Sequence, residues 1–185
     1  MQLMALSMEL MMRPNGAGGA VRVLTEQVRS QGEPMTTTEL QARRLEVLQE
    51  HFRSEVDHDW AACLGTFNGR PHYEIMATGQ VYDGDDEVLA YHRNQRTAFP
   101  DQRHENVRYH FADDVVVTEF DLLGTNLGEF YGMEPTGRSF RVPVVALFFF
   151  EGDRIVNERI YLDSASLLAQ IGRAEVLAFA GGDPS

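Results

Sequence analysis

The stretch RIVNERIYLD, residues 154–163, predicts a β-strand that ends at a carboxylate and leads directly into a helix. Strict alternation would place five of its side chains on one face, namely Ile155, Asn157, Arg159, Tyr161 and Asp163. The last of these has two interpretations. Asp163 either faces a wet pocket and does chemistry there, or it caps the helix that begins in SASLL, unless Ser164 is the cap.

Three more β-segments precede this strand, and each is bounded by turn-forming residues. They are RHENVRYHF (103–111), DVVVTEFDLLGTNLGEF (114–130) and GRSFRVPVVALFFFEG (137–152). A shorter strand is predicted in PHYEIMATG, residues 71–79. Successive strands joined by short turns favour an antiparallel sheet.

Helices are predicted mostly before the sheet. Thr36 and Glu39 have the spacing of a capping box, which places a helix start there. SEVDHDWAACLGTF (54–67) has a helical stripe of apolar residues, and residues 82–99 form a helix that Pro100 ends. DSASLLAQIG closes the pattern as a short helix with Gly172 near its end.

The predicted sheet is bent. Gly124, Gly128 and Gly132 interrupt a strand, and Pro143 lies inside another, as is typical of bulges and bends. The chain is therefore expected to be an α+β fold. A curved antiparallel sheet wraps around the N-terminal helices and forms a cone with an internal cavity.

Composition excludes several classes of partner. The 185-residue chain has a net charge of −12, which disfavours nucleic acid and anionic membranes because both would repel it. Cys63 is the single cysteine, so an internal disulfide or a cysteine cluster cannot form, and we expect a cytoplasmic setting. Residues 1–34 are expected to be a flexible or loosely docked extension, with one domain over residues 35–185.

Three segments carry a resemblance to a known family. AFPDQRHENV (98–107), LLGTNLGEFYGMEPTGRSF (122–140) and RIVNERIYLDSASLLAQIG (154–172) resemble, in order and spacing, the SnoaL-like polyketide cyclases of the nuclear transport factor 2-like cone fold. The resemblance covers roughly residues 55 to 173. The fold hosts cyclases, isomerases, dehydratases, epoxide hydrolases and binding modules, so it does not by itself fix the activity.

The resemblance implies a catalytic role for Asp163, since the aspartate that ends the last strand is the acid/base of the family's cyclases. Tyr161 on the same face and Asn126, in GTN where the family often has GTH, are the predicted orienting donors. Asn126 cannot carry a proton at neutral pH, which leaves it a positioning or oxyanion role.

Seven further residues are predicted to contact substrate, as apolar walls or polar contacts: Trp60, Tyr73, His92, Phe99, Asp101, Phe149 and Arg159. Each also has a structural alternative, for example a turn for Asp101 and an ion pair for Arg159. No metal site is predicted, because no His, Asp or Glu spacing converges on one ion.

The sequence thus predicts a cofactor-independent enzyme that acts on a small hydrophobic carbonyl substrate by aspartate acid/base chemistry, like a polyketide or ester cyclase. Epoxide hydrolysis, isomerisation and dehydration on the same scaffold are alternatives, as is a non-catalytic ligand-binding or dimer module. The expected partners are a small-molecule substrate and, by resemblance, a second copy in a homodimer.

Overall fold

The computed structural model describes residues 35–176, which contain four helices and six strands. The helices are α1 (Thr37–Asp57), α2 (Trp60–Leu64), α3 (Asp85–Ala98) and α4 (Ser164–Gln170). The strands are β1 (His72–Ile75), β2 (Gln80–Asp83), β3 (Arg103–Phe111), β4 (Val115–Thr125), β5 (Ser139–Glu151) and β6 (Arg154–Leu162). The extension predicted over residues 1–34 lies outside the described residues.

The six strands form one curved, unclosed sheet in the order β2-β1-β6-β5-β4-β3. All neighbouring pairs are antiparallel except β1 and β6, which run parallel. The predicted α+β architecture is confirmed. The sequence did not predict the edge strand β2, whose last residues had been assigned to the following helix.

The first helix begins as predicted. Thr36 accepts a hydrogen bond from the backbone of Glu39, whose carboxylate accepts one from Thr36 N. The helix stops where His58 adopts a left-handed conformation (φ 57°), and Asp59 then caps α2 by accepting from Ala62 N at 3.1 Å. One predicted apolar stripe is therefore divided between two helices.

A bulge in the β5–β6 pair decides which side chains of β6 face inward. Phe149 pairs with Asn157, whereas the next residue, Phe150, pairs with Ile155, so Val156 is the extra residue. An extra residue reverses the alternation of side chains along a strand. Ile155 and Glu158 are consequently both buried on the inner face, although they are three positions apart.

Close approach explains one of the predicted glycines. A Cβ at Gly128 would lie 2.1 Å from the carbonyl oxygen of Thr97, so only glycine lets the loop after β4 pass the end of α3. Pro143 is tolerated because β5 begins to pair with β6 only at the next residue, Val144.

The inner face of the sheet packs against the helices. Alternate residues of β5 are buried there, namely Phe140, Val142, Val144, Ala146, Phe148 and Phe150. From α1, Leu48 and Phe52 join the same apolar core. Several residues of this core, among them Phe52 and Phe140, also line a cavity on the concave side.

Candidate active site

A cavity of about 400 Å³ lies between the inner face of the sheet and helices α1, α3 and α4. Its walls are largely aromatic, with contributions from Phe52, Tyr91, Phe99, Phe120, Phe130, Tyr131 and Phe140. A cavity of this size suits a small organic ligand. One wall carries ionisable side chains instead: Glu55, Tyr73, His92, Arg96, His104 and Glu158.

Helix α1 supplies Glu55 to this polar wall and His51 behind it, because residues four apart lie on the same helical face. His51 and Glu55 extend the buried stripe that includes Leu48. His51 is fully buried just behind the cavity, and its Nε2 lies 3.3 Å from Glu55 Oε1.

The hydrogen bonds of His51 show that both ring nitrogens carry a proton. Thr66 donates its hydroxyl hydrogen to the carbonyl of Cys63, so its oxygen accepts from His51 Nδ1 at 2.9 Å. Nε2 faces the carboxylates of Glu55 and Glu158. Burial opposes the charge, but contacts with the Cys63 sulfur, Glu158 and Glu55 outweigh it and raise the pKa of His51 well above its usual value.

Glu55 is the anion of the cluster. Its carboxylate lies 3.4 Å from His104 Nε2 and 3.8 Å from His92 Nε2, and it accepts a hydrogen bond from the Tyr73 hydroxyl at 3.3 Å. Burial alone would raise the pKa of Glu55, but His104 and His51 hold it well below its usual value. Glu55 is therefore ionised and forms a buried ion pair with His51.

Glu158 differs from Glu55 in its surroundings. It is 4% exposed, and its Oε2 lies 3.2 Å from His51 Nε2. Burial raises its pKa, and the charge of Glu55 adds to this shift, against the hydrogen bonds from His51 and Tyr73. Two neighbouring carboxylates with pKa values pushed apart are the arrangement that acid/base catalysis uses.

Tyr73 and His92 link the cluster to α3. The Tyr73 oxygen lies 3.0 Å from His51 Nε2 and 3.2 Å from His92 Nε2. Burial lowers the pKa of His92 to about 4, so the imidazole is neutral at pH 7.

This lowered pKa predicts acid sensitivity. The unfolded chain binds a proton at His92 more readily than the folded protein, so stability is lost as pH falls from 6.5 through about 4. We expect this one group to remove about 2 kcal/mol between pH 7 and pH 5. Urea unfolding at both pH values measures the loss.

His92→Gln removes this titrating group. The free energy of unfolding of the variant should therefore fall by about 2 kcal/mol less than that of the wild type between pH 7 and pH 5. His110→Gln removes a surface histidine outside the cavity and serves as the matched control. Equal pH dependence of wild type and His92→Gln would contradict the prediction.

A metal ion does not fit the cluster as it stands. Ligand atoms of His51, Glu55 and Cys63 lie within 4.8 Å of one another. The Tyr73 hydroxyl, however, is within hydrogen-bond distance of both His51 Nε2 and Glu55 Oε1, at 3.0 and 3.3 Å. His51 also uses Nδ1 to bind Thr66, so the space that an ion would need is taken by the hydrogen-bond network.

The prediction that Asp163 faces the cavity is wrong. Its carboxylate caps α4, accepting from the backbone N of Ser166 at 3.0 Å and from the Ser166 hydroxyl at 2.5 Å. These hydrogen bonds lower the pKa of Asp163, which is exposed. Because of the bulge at Val156, the side chains that alternate with Glu158 along β6 point away from the cavity, and Asp163 lies at the end of that series.

Three other predicted residues lie on the outer face of the sheet: Tyr161 and Arg159 follow the bulge in β6, and Phe149 alternates on β5 with the buried Phe148 and Phe150. Tyr161 is 43% exposed. Arg159 forms an ion pair with Glu74, with Nε and Nη2 at 2.9 and 3.0 Å from its oxygens, and its guanidinium stacks over the Phe149 ring. None of the three lines the cavity.

Of the remaining residues predicted to contact substrate, some stabilise loops and others line the cavity. Asn126 holds the loop after β4, donating to Gly128 O and accepting from Thr136 N. Asp101 accepts from the Thr125 backbone and hydroxyl, both at 2.7 Å. Neither lines the cavity.

Trp60 supports the cavity from behind, since it stacks on His92 with ring centroids 5.3 Å apart but does not line the wall. Tyr73, His92 and Phe99 do line the cavity, as predicted. Their roles toward a ligand stay predictions.

Sequence reasoning missed His51, Glu55, Arg96, His104 and Glu158. The signal for two of them was present in the helical stripe of α1, where a histidine and a glutamate four residues apart continue the line of Leu48. Glu158 was recognisable as a lone carboxylate between apolar neighbours on the face that also carries Ile160 and Leu162.

Comparison with known proteins agrees with this architecture. A sequence profile described as SnoaL-like polyketide cyclase matches residues 46–171. No curated protein sequence matches the chain. Among the helices of residues 35–176, none combines the length and apolar character needed to cross a bilayer.

Solved structures share the fold at low sequence identity. A protein from Xanthomonas campestris, provisionally described as a polyketide cyclase, is 15% identical with a TM-score of 0.66, covering 72% of this chain and 99% of its own. IdmH from Streptomyces antibioticus, provisionally a polyketide cyclase, is 21% identical (TM-score 0.61; 70% and 98% covered). AclR from Streptomyces galilaeus, provisionally a hydroxylase, is 19% identical (TM-score 0.62; 71% and 97% covered).

Proposed function

Because the chain belongs to the SnoaL-like polyketide cyclase family, we propose that it is a cofactor-independent enzyme that moves a proton on a hydrophobic carbonyl substrate. Glu158 is the proposed acid/base. The observation that carries this proposal is a buried carboxylate on the wall of an aromatic cavity, whose pKa is raised by burial and by the charge of Glu55.

Removal of a proton next to a carbonyl needs a base whose pKa is close to the working pH. Burial brings Glu158 toward that range, whereas Glu55 is tied to histidines that keep its pKa low. Glu55 therefore holds His51 and His104 in place, and Glu158 transfers the proton.

The enolate that follows proton removal needs a hydrogen-bond donor and little competing water. The Tyr73 hydroxyl is on the same wall, and its hydrogen can rotate from Glu55 toward the developing oxyanion. Aromatic side chains make up most of the remaining wall and favour an aromatic or polycyclic substrate.

Ring closure of a polyketide or ester-type substrate is the leading reaction, by analogy with the family. Isomerisation, dehydration and epoxide hydrolysis would use the same base. The ionisable wall favours catalysis over a purely ligand-binding or dimer module. A homodimer and a cytoplasmic setting stay predictions.

The test is exchange of hydrogen for deuterium at carbon. Hydrophobic ketones and 1,3-dicarbonyl esters are incubated with the protein in D₂O at pH 7, and label is followed by NMR. We expect exchange well above the buffer rate for aromatic members of the panel. No acceleration with any of them would overturn the proposal, and conversion of aryl epoxides in a parallel assay would favour the hydrolase alternative.

A further inference from the structure

Arg96 is a buried cation on the cavity wall. The residue is 6% exposed, and its Nη1 donates to the carbonyl oxygen of Gln102 at 2.5 Å. Within residues 35–176, no carboxylate lies within 4 Å of its guanidinium, and Nε and Nη2 have no protein acceptor. The hydrogens on Nε and Nη2, which point along one edge of the planar guanidinium, are therefore unpaired within the described residues.

Two other arginines, the buried Arg44 and the partly exposed Arg159, use their donors inside the protein. Arg44 is also buried, but it donates to Gly152 O and Asp113 O and lies over the Phe150 ring, away from the cavity. Arg159 has the carboxylate of Glu74. Arg96 is thus unusual in placing a charged group in the cavity without an internal partner.

Glu55 and Asp101 attract the Arg96 charge from a distance, but neither forms an ion pair with it. His51 and Glu55 form an ion pair with each other, and Glu158 is the carboxylate whose pKa is raised. Burial lowers the pKa of Arg96, which expresses the cost of keeping a guanidinium in this place. An anion that enters the cavity would offset that cost.

We infer that the ligand of this cavity is a hydrophobic carboxylate, bound through its carboxylate oxygens to Nε and Nη2 of Arg96. A planar guanidinium matches a carboxylate in a bidentate geometry, and such charge-assisted pairs are the stronger hydrogen bonds. The apolar part of the ligand lies against Phe99, Phe130 and Phe140. If the proposed function holds, the substrate has both this carboxylate and a reactive carbonyl. Binding of the carboxylate itself does not depend on that function.

Binding of a matched acid and amide tests this site. Titration calorimetry of the full chain at pH 7 compares 2-naphthoate with 2-naphthamide, which has nearly the same shape but no charge. We expect the wild type to bind the carboxylate about 10-fold to 100-fold more tightly. Arg96→Gln should lose this preference, and Arg96→Lys should retain part of it.

Arg159→Gln is the matched control, because it removes an arginine from the outer face and should leave the preference unchanged. Equal affinities in the wild type, no binding of either compound, or an unaltered preference in Arg96→Gln would each overturn the inference. If Arg96→Gln does not fold, the wild type and Arg96→Lys decide the question.

These measurements involve no turnover. A carboxylate preference without deuterium exchange would retain the anion site and reject the proposed enzyme. Deuterium exchange without a preference for the carboxylate would retain the proposed enzyme and reject the anion site.

Discussion

Replacement of Glu158 by glutamine is expected to lower kcat/KM for deuterium exchange by about 10²-fold to 10⁴-fold, the range that a positioned acid/base contributes. Glutamine has nearly the same shape and can still receive the hydrogen bond from His51, but it cannot take a proton from carbon. Ligand binding and the fold should be retained, which separates loss of chemistry from loss of structure.

The wild-type rate should also depend on pH in a specific direction. The base is active when ionised, and burial raises the pKa of Glu158 above the ordinary value of 4.5. The exchange rate should therefore rise with pH through a midpoint above that value. This limb should be absent from any residual activity of the glutamine variant.

Asp163→Asn is the matched control, since it removes the carboxylate that the sequence favoured. Asparagine is as good a helix N-cap as aspartate, so α4 should be retained. Unchanged exchange in Asp163→Asn is expected because Asp163 is exposed and bound to Ser166. An active Glu158→Gln or an inactive but folded Asp163→Asn would reject the assignment.

The fold followed from the sequence because local and long-range patterns agreed. The capping box at Thr36 started α1, and four long β-segments separated by short turns gave the antiparallel part of the sheet. The break at His58 was hidden, since a left-handed residue other than glycine leaves little trace in an apolar pattern.

The site could not be derived in the same way because alternation does not say which face of a strand points inward, and the extra residue in β6 places Ile155 on the same face as Glu158. Val156 lies in a bulge that exists only through pairing with β5, a tertiary feature with no signature inside RIVNERIYLD. Transfer of a family role by position then selected Asp163, while the inward carboxylate was Glu158. Glu55 was missed because a buried charge becomes reasonable only when its partners are known.

Loss of Glu55 should have the largest effect on stability. Its carboxylate is the negative partner of His51 and also contacts His104. Removing one partner of a buried ion pair leaves the other charge uncompensated, which typically costs about 3–5 kcal/mol. We expect Glu55→Gln to lower the free energy of unfolding by this amount at pH 6, measured with urea.

The choice of pH follows from the two pKa shifts. The raised pKa of His51 contributes stability that is complete below 6.5 and is lost as pH rises through the folded value. The lowered pKa of Glu55 contributes stability that is complete above 4.5 and is lost as pH falls through its own folded value. The ion pair is therefore worth most between these limits, and the cost of Glu55→Gln should shrink as pH rises through the folded pKa of His51.

Glu50→Gln provides the control on the same helix, because Glu50 pairs with Arg53 in solvent and its loss should leave the protein close to wild type. Coupling is measured by making Glu55→Gln in a His51→Gln background, where the buried cation is already gone. The second change should then cost at least about 1 kcal/mol less than it does alone. If Glu55→Gln were as stable as Glu50→Gln at pH 6, Glu55 and His51 would not form a buried ion pair that stabilises the fold.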